Sequence, residues 1–419
     1  MKQVKSSAGT FTDNMKLPIH RWFRYSAGFS ADWVKKELLD LKQKVNDEVI
    51  LIEPFAGSGT SNLVADSLGI ESYGFEGHPF IAEIANAKKL WYLSENLVLE
   101  SGKLILEKAQ SDVNFYRLPI EENLLSKCFT STNFNKLMAL RNAYEELYAS
   151  KEIGLIFKLI ITSILRPCSH VGTAQWQYVL PNKRKSNVLD PFEAFERKLI
   201  QIIDDMKFAK DNDWKNFSNI EFHDYRNPTN LDKIGNCVIT SPPYPNNYDY
   251  ADATRLEMMF WEEITGWGDL KNIVRPTLIR SCSQHSASDK VILEEIIDSP
   301  SLKPIRDEIF SVTNELGEIR KTKGGKKTYH TMVGAYFYDM SKIFSNLRAN
   351  LQENSNMTFV IGDSAPYGIY VPVDKWLGEL AIDNGFESYT FEKIRDRNIK
   401  WDNRTHKVPL KEGLLRIRG

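Results

Sequence analysis

Cysteine is scarce in this chain: Cys128, Cys168, Cys237 and Cys282 are the only four in 419 residues, and none sits in a CxxC pair or at His/Cys ligand spacing. That argues against structural zinc and against a disulfide scaffold, and a reducing, cytoplasmic setting is expected. Long apolar runs are missing too. The N-terminus, MKQVKSSAGTFTDNMKL, lacks the apolar stretch of a secretory signal. The most apolar segment, Gly154 to Leu165, is too short for a bilayer and carries Lys158, so no membrane insertion is expected. Nor is there an excess of one charge. Lys plus Arg number 54 and Asp plus Glu 55, a net charge of −1, so a polyanionic partner must meet local basic loops rather than a global field. With 42% hydrophobic and 26% charged residues and no repeat or low-complexity tract, the chain is globular. Its length allows two or three domains, or one large core with insertions.

Apolar periodicity starts with a helix from Ser30 to about Lys44, where Trp33, Val34, Leu38 and Leu41 recur at helical spacing behind a Ser30 cap. A buried strand, Val49 to Ile52, breaks at Pro54 into a glycine turn. Ser61 to Leu68 reads as a helix stopped by Gly69, Glu71 to Phe75 as a strand, and Pro79 to about Tyr92 as a helix with proline in its first turn. Strand, helix, strand, helix with tight turns begins a doubly wound parallel sheet, an α/β architecture. From 97 to 216 the pattern turns mostly helical, with apolar segments at Ile153 to Leu165 and Phe192 to Phe208 and an exposed loop expected at Leu180 to Asp190. Strands resume at Ile220 to His223 and Cys237 to Thr240. A second irregular stretch, about Gly266 to Lys327, ends in KTKGGKK. A helix (about Thr331 to Leu351), a strand (Met357 to Ile361), a helix (about Asp374 to Asn384) and two late strands (Phe386 to Ile394, Leu414 to Ile417) complete seven strands interrupted twice. The expected organisation is 1–96 and 217–265 as core, 97–216 as a helical insertion, 266–330 as a second insertion and 331–419 as the C-terminal part of the core.

Glu53-Pro54-Phe55-Ala56-Gly57-Ser58-Gly59-Thr60 lies where a strand hands over to a helix. Gly57 and Gly59 permit tight backbone angles and close approach of a ligand, and the free N–H groups of the helix start attract an anion. Dinucleotide enzymes share this geometry but carry a third glycine, and Asn62 stands in its place here. Glu76, about twenty residues on, ends the next strand where a carboxylate can accept from both ribose hydroxyls. The combination suits an adenosine cofactor with a methionyl carboxylate as its anion. Asp224, just after the third strand, is placed to reach an adenine amino group, although a plain turn residue would look the same.

Thr240-Ser241-Pro242-Pro243-Tyr244 follows a buried strand, where open α/β sheets keep their active sites. Two prolines remove two N–H donors and hold the chain extended, leaving nearby carbonyls free as acceptors. The Ser241 hydroxyl and the Pro242 carbonyl can accept from one NH₂ group, while Tyr244 offers a ring to a planar base. Drawing that nitrogen toward tetrahedral geometry releases its lone pair for in-line attack on a sulfonium methyl, so positioning suffices and no covalent enzyme intermediate is needed.

These motifs resemble those of S-adenosylmethionine-dependent DNA amino-methyltransferases of restriction-modification systems. The resemblance is clear over Trp22 to Tyr92 and Phe222 to Arg255 and looser over Thr331 to Gly419. It implies a Rossmann-like seven-stranded sheet, mostly parallel with an antiparallel late strand. It also implies that Glu53, Phe55, Ala56, Gly57, Ser58, Gly59 and Thr60 form the cofactor loop for S-adenosyl-L-methionine, with Glu76 the ribose acid and Asp224 the adenine contact. Ser241, Pro242, Pro243 and Tyr244 are then the catalytic motif, and no metal is expected. The segment His20 to Ser30 resembles the stretch that closes over the methionyl end, with Tyr25 as its cofactor contact and Phe29 a weaker one. Ser at the first motif position favours cytosine N4 over adenine N6. The helical span before Asp224 departs from the simplest family pattern and leaves target recognition to either insertion or both.

Double-stranded DNA and a cognate restriction endonuclease are the partners implied. Lys183, Arg184, Lys323, Lys326 and Arg404 are candidate DNA contacts, from basic clusters at Lys183 to Lys185, Lys321 to Lys327 and Arg395 to Lys407. The target base must leave the duplex to reach Tyr244. Asn246, Asn247, Tyr248, Asp249 and Tyr250 are placed to line its pocket, and Arg255 could pair with Glu257. Cytosine-C5 chemistry needs a cysteine nucleophile, and Pro167-Cys168 follows an apolar helix without the partner motif. RNA amino-methylation usually adds an N-terminal module, for which about 48 residues are too few. A non-catalytic subunit would be expected to have lost the glycine turn or SPPY.

Overall fold

The computed structural model describes residues 12–25, 28–45, 47–113, 123–174, 177–246, 248–284, 286, 291–323, 328–397 and 408–419. Its strands are β1 (Ile50–Glu53), β2 (Glu71–Glu76), β3 (Val171–Thr173), β4 (Val179–Arg184), β5 (Ser218–Phe222), β6 (Gly235–Thr240), β7 (Leu351–Gly362), β8 (Ser388–Arg397) and β9 (Leu410–Arg418). Seven of them make one sheet in the order β5-β2-β1-β6-β7-β9-β8. Neighbours pair in parallel from β5 to β7, and β9 runs antiparallel to both β7 and β8. This is the expected Rossmann-like sheet with its antiparallel late strand. The strand order reverses between β1 and β6, which opens a crevice at their carboxyl ends.

Burial on both faces explains why the central strands read as short apolar runs. Ile50, Leu51 and Ile52 of β1 and Cys237, Val238 and Ile239 of β6 are all buried, as parallel strands between two helical layers require. On one face lie α1 (Ala31–Lys42) and α2 (Thr60–Ser67), whose Val34, Leu38 and Val64 pack on Leu51 and Ile239. On the other, the helices Tyr329–Asn350 and Val373–Asp383 bring Phe337, Phe344 and Trp376 against Val238 and Phe359. The Ser30 hydroxyl caps α1, accepting from Trp33 N at 3.3 Å. Pro79 opens α3 (Pro79–Lys89) as expected.

The helical span shares its core with α3: Ile84 belongs to the same apolar cluster as Ile105, Leu140, Ile160 and Phe195. Buried Asp205, on the helix Pro191–Asp211, ties the N-terminal segment to it. Its carboxylate accepts from Ile19 N (3.0 Å), from Trp22 Nε1 (2.9 Å) and from Arg21 at 2.6 and 3.1 Å. That carboxylate sets where the chain enters the site.

Three expectations are corrected. The stretch Leu180 to Asp190 is not wholly loop: β4 pairs antiparallel with β3. Only Val171 of this two-stranded ribbon is buried, so it offers no alternation to read, and Pro181 is tolerated because no sheet continues beyond it. The stretch Gly266 to Lys327 contains short helices and a longer one, Arg306–Ile319, whose buried Ile309, Thr313 and Leu316 are too few and too polar to announce it. β7 starts six residues before Met357, because its first half is the exposed, polar run Gln352 to Asn354.

Candidate active site

The glycine turn sits at the carboxyl end of β1, and its two glycines do different jobs. Both are left-handed, with φ +54° at Gly57 and +81° at Gly59. A Cβ on Gly57 would lie 3.2 Å from the Tyr25 ring, on the cavity side. One on Gly59 would lie 3.3 Å from Ile220 and 3.5 Å from Ala85, so this glycine lets α2 approach β5 and α3. Where dinucleotide enzymes place a third glycine on the helix, Asn62 is accommodated by Gly74 on β2, whose Cβ would stand 2.6 Å from Asn62 Oδ1. Asn62 Nδ2 donates to Ser72 Oγ at 3.0 Å. Close helix–strand contact is retained with the glycine moved to the strand.

Two acidic residues near the turn have separate fates. Glu53 accepts from Phe55 N (3.0 Å), from Ser61 Oγ (2.8 Å) and from the Thr240 hydroxyl, clamping β1 to β6 beneath the turn. Glu76 instead lines the cavity. One of its oxygens accepts from Gly57 N and the other from His78 N, both at 2.7 Å, and each keeps a second lone pair. Burial pushes both carboxyls up, each to about 7. Below the turn the buried Lys88 donates to the Ser58 carbonyl at 3.2 Å, and burial pushes its ammonium down to about 7. The Ser58 hydroxyl lines the cavity, buried and with no hydrogen-bond partner among the described residues. An orphaned hydroxyl beside two left-handed glycines suits a polar ligand group at the turn, so the donor set fits an adenosyl cofactor bearing a carboxylate.

The cavity continues past His223, Asp224 and Tyr225. Asp224 is held by a bidentate pair with Arg226, at 2.8 and 2.7 Å, and Arg226 reaches Asp339 at 3.2 Å. Asp339 also accepts from Arg280 N at 2.9 Å and Nε at 3.0 Å. None of Arg226, Asp339 and Arg280 was a sequence candidate; Asp339 lies more than a hundred residues from Asp224. The chain of charges anchors a strap, residues 275–281, that sequence patterning left within the second insertion. Thr277, Leu278, Ile279 and Ser281 line the cavity. The Thr277 hydroxyl donates to Gly77 O at 2.6 Å, Asn246 N donates to Ser281 O at 2.8 Å, and buried Arg275 pairs with buried Asp249 at 2.6 Å. The strap therefore bridges the Glu76 end of the cavity and the loop after SPPY.

β6 delivers Ser241 and Pro243 to the cavity edge. Ser241 Oγ donates to Val360 O at 3.3 Å, which leaves its lone pairs as acceptors. Pro242 is buried. Tyr244 packs against the end of β7, where a Cβ on Gly362 would stand 3.0 Å from the ring. Arg397 lies over that ring at 5.0 Å and donates to Asp363 O at 2.7 Å. One face of the expected stacking surface is thus already covered. Farther along, Tyr250 lines the cavity and leans on Tyr248 at 4.3 Å, which meets Tyr178 at 6.4 Å. The Tyr178 hydroxyl accepts from Asp249 N at 2.7 Å, so the β3–β4 hairpin is docked on the SPPY loop. Asn246 is exposed with φ +60°, and Asn247 lies outside the described residues.

Several other candidates resolve plainly. Tyr25, Gly28 and Phe29 line the cavity, as do Phe55, Ala56 and Thr60. Glu257 pairs with Arg166 at 2.5 Å rather than with Arg255, whose partner is Asp252 at 3.2 Å. Cys168 is buried, and burial pushes its thiol up to about 12, the opposite of an activated nucleophile. Lys183, Arg184 and Lys323 are exposed, whereas Lys326 and Arg404 lie outside the described residues. Among the described residues no group of three or more His, Cys, Asp or Glu is placed to hold a metal, and no helix is long and apolar enough to cross a membrane.

No family model matches the chain. It is similar, however, to the type II methyltransferase M.BsoBI of Geobacillus stearothermophilus, at 26% identity over 93% of this chain and 82% of that protein. The type II methyltransferase M.AvaI of Nostoc sp. (strain PCC 7120 / SAG 25.82 / UTEX 2576) is 22% identical over 90% of this chain and 81% of its own length. M.MvaI of Kocuria varians, also a type II methyltransferase, is 21% identical over 89% and 83% respectively. The similarity spans both halves of the sheet and the helical span between them, and the homologues of this chain are type II methyltransferases.

Proposed function

We propose that this chain is an S-adenosylmethionine-dependent DNA methyltransferase that modifies the exocyclic N4 of cytosine, working beside a cognate restriction endonuclease in the cytoplasm. The observation that carries the reading is the meeting, at the neighbouring carboxyl ends of β1, β2 and β6, of a left-handed glycine turn, a backbone-held carboxylate and Ser241-Pro242-Pro243-Tyr244. Similarity to type II methyltransferases over most of the chain supports it.

When bound, the cofactor supplies an electrophilic sulfonium methyl group. Gly57, Ser58 and Thr60 would hold its methionyl end, with Tyr25 packed over the turn, and Glu76 would accept from its ribose hydroxyls. Asp224, fixed by Arg226, would receive the adenine amino group. Ser241 Oγ and the Pro242 carbonyl accept from the target amine and hold its nitrogen out of conjugation, so that the lone pair points at the methyl group. Tyr244 supports the flipped base, on the ring face that Arg397 leaves open or after Arg397 moves aside. Lys183, Arg184, Lys323, Lys326 and Arg404 would contact DNA phosphates. Ser241 at the first motif position supports cytosine over adenine.

The test is to incubate the protein with labelled cofactor and duplex DNA or RNA, digest the product to nucleosides and identify it by mass spectrometry. N4-methylcytosine is expected. N6-methyladenine would move the target to adenine, and cofactor binding without transfer would make the chain a non-catalytic subunit.

Cofactor affinity is also expected to depend on pH. Glu76 accepts from ribose best when ionised, and its carboxyl is raised to about 7. Below that value protonation competes, so Kd rises about tenfold per pH unit, and above it Kd levels off. Calorimetric titration between pH 5.5 and 8.5 reads this. Glu76→Gln should bind more weakly and lose this dependence, and an unchanged slope in the variant would assign it to another group.

A further inference from the structure

On the helical-span side of the molecule, away from the glycine turn, lies a cavity of about 400 Å³. Its walls come from the N-terminal segment, the helix Gly154–Cys168, the β3–β4 hairpin and the helix Pro191–Asp211. Among the described residues, five cationic side chains line it, Arg21, Arg24, Arg166, Lys185 and Lys198, against a single lining carboxylate, Glu257. Two are neutralised: Arg166 by Glu257 at 2.5 Å, and Arg21 by Asp205 at 2.6 Å.

The other three have no carboxylate partner among the described residues. Lys198 Nζ donates to Arg21 O at 2.9 Å and to Gln201 Oε1 at 2.8 Å, and Lys185 Nζ to Arg166 O at 2.6 Å and Pro167 O at 3.1 Å, all neutral acceptors. Arg24 is exposed at the rim. Charge withdrawn from water is normally paired, and a cluster of cations facing one open cavity calls for an anion from outside. Burial pushes the Lys198 ammonium down to about 8, with Asp205 offsetting only part of that, and lowers that of Lys185. The hairpin that forms one wall carries exposed Lys183 and Arg184, so positive potential continues from the cavity onto the surface. The same hairpin is docked on the SPPY loop through Tyr178 and Asp249.

We propose that this cavity is a phosphate site, in which Arg24, Lys185 and Lys198 receive a backbone phosphate of the DNA whose base is held at Ser241. It rests on the DNA reading above, but its chemistry does not: a free phosphate would meet the same donors. A phosphate seated here sets the position of the strand relative to the SPPY loop without reading sequence.

The experiment compares the wild-type chain with Lys198→Met and Arg24→Ala, the first keeping the aliphatic bulk and the second altering only an exposed side chain. Duplex binding is measured by fluorescence anisotropy across a salt series, and thermal stability with and without inorganic phosphate. Each lost phosphate contact lowers the slope of log Kobs against log salt by about one. That loss is expected in both variants, with Lys198→Arg restoring it and cofactor affinity unchanged throughout. If the salt slope stays fixed but inorganic phosphate stabilises the wild-type chain and not the variants, the site stands and its ligand is free phosphate. If neither readout moves in either variant, the proposal is overturned. Failure of the wild-type chain to bind any duplex would sink the DNA reading instead, and the phosphate titration would still decide whether the site exists.

Discussion

Replacing Gly57 by valine is expected to abolish binding of S-adenosylmethionine, with Kd raised by more than about a hundredfold, or roughly 2.7 kcal/mol. Two effects add. Gly57 has φ +54°, where a β-branched residue is strained, and a Cβ there would crowd the Tyr25 ring at 3.2 Å. The valine therefore either fills the space between turn and Tyr25 or flips the turn, and a flip removes the Gly57 N–H from Glu76, where it now donates at 2.7 Å. Equilibrium dialysis with labelled cofactor measures the loss, and circular dichroism confirms that the fold persists. Binding within about fivefold of wild type would make the turn structural only. Gly59→Ala offers a contrast, since its Cβ would meet Ile220 and Ala85 inside the core. Its main cost should be in stability.

Ser241→Ala and Tyr244→Ala are expected to behave in the opposite way. Ser241 Oγ is one of two acceptors assigned to the target amine, and losing one such electrostatic contact slows the chemical step by about 10²–10³. Tyr244 lies against the end of β7 with Arg397 over its ring, beside the cavity rather than in its wall, so its removal should weaken base positioning and leave the cofactor alone. Cofactor Kd should stay within about threefold of wild type in both variants while single-turnover transfer falls. A loss of cofactor affinity as large as that of Glu76→Ala would show that these residues serve the sulfonium end instead.

The glycine turn and Glu76 lie at the ends of β1 and β2 and Ser241 and Pro243 follow β6, and the strap 275–281 touches both sides, through Gly77 and through Asn246 and Asp249. Its contribution was invisible in one dimension. Nothing in Arg275 to Ser281 has a periodicity or a motif, and its four cavity-lining residues acquire meaning only because Arg280 and Arg226 converge on Asp339.

The same contrast runs through the acidic residues. The resemblance makes Glu53 part of the cofactor loop and Glu76 the ribose acid. In the structure Glu53 clamps β1 to β6 through Ser61 and Thr240, while Glu76 faces the cavity, a distinction of side-chain direction that spacing does not encode. Asn62 stands where dinucleotide enzymes carry a third glycine, yet Gly74 on the partner strand supplies the space, since close packing depends on both surfaces at a contact.

Local patterning was enough for the α/β class, the seven strands of the main sheet, the glycine turn and SPPY, because apolar runs, turn residues and caps act over a few neighbouring positions. Their order along the chain even placed them at adjacent strand ends, since parallel βαβ units have few ways to connect. What needed the folded chain was every partnership across long separations: Asp205 with the N-terminal segment, Arg166 with Glu257, Arg226 with Asp339, and the cationic cavity under the hairpin. Such pairs are chosen by three-dimensional proximity and the need to neutralise buried charge. Neither leaves a trace in the spacing of residues along a chain.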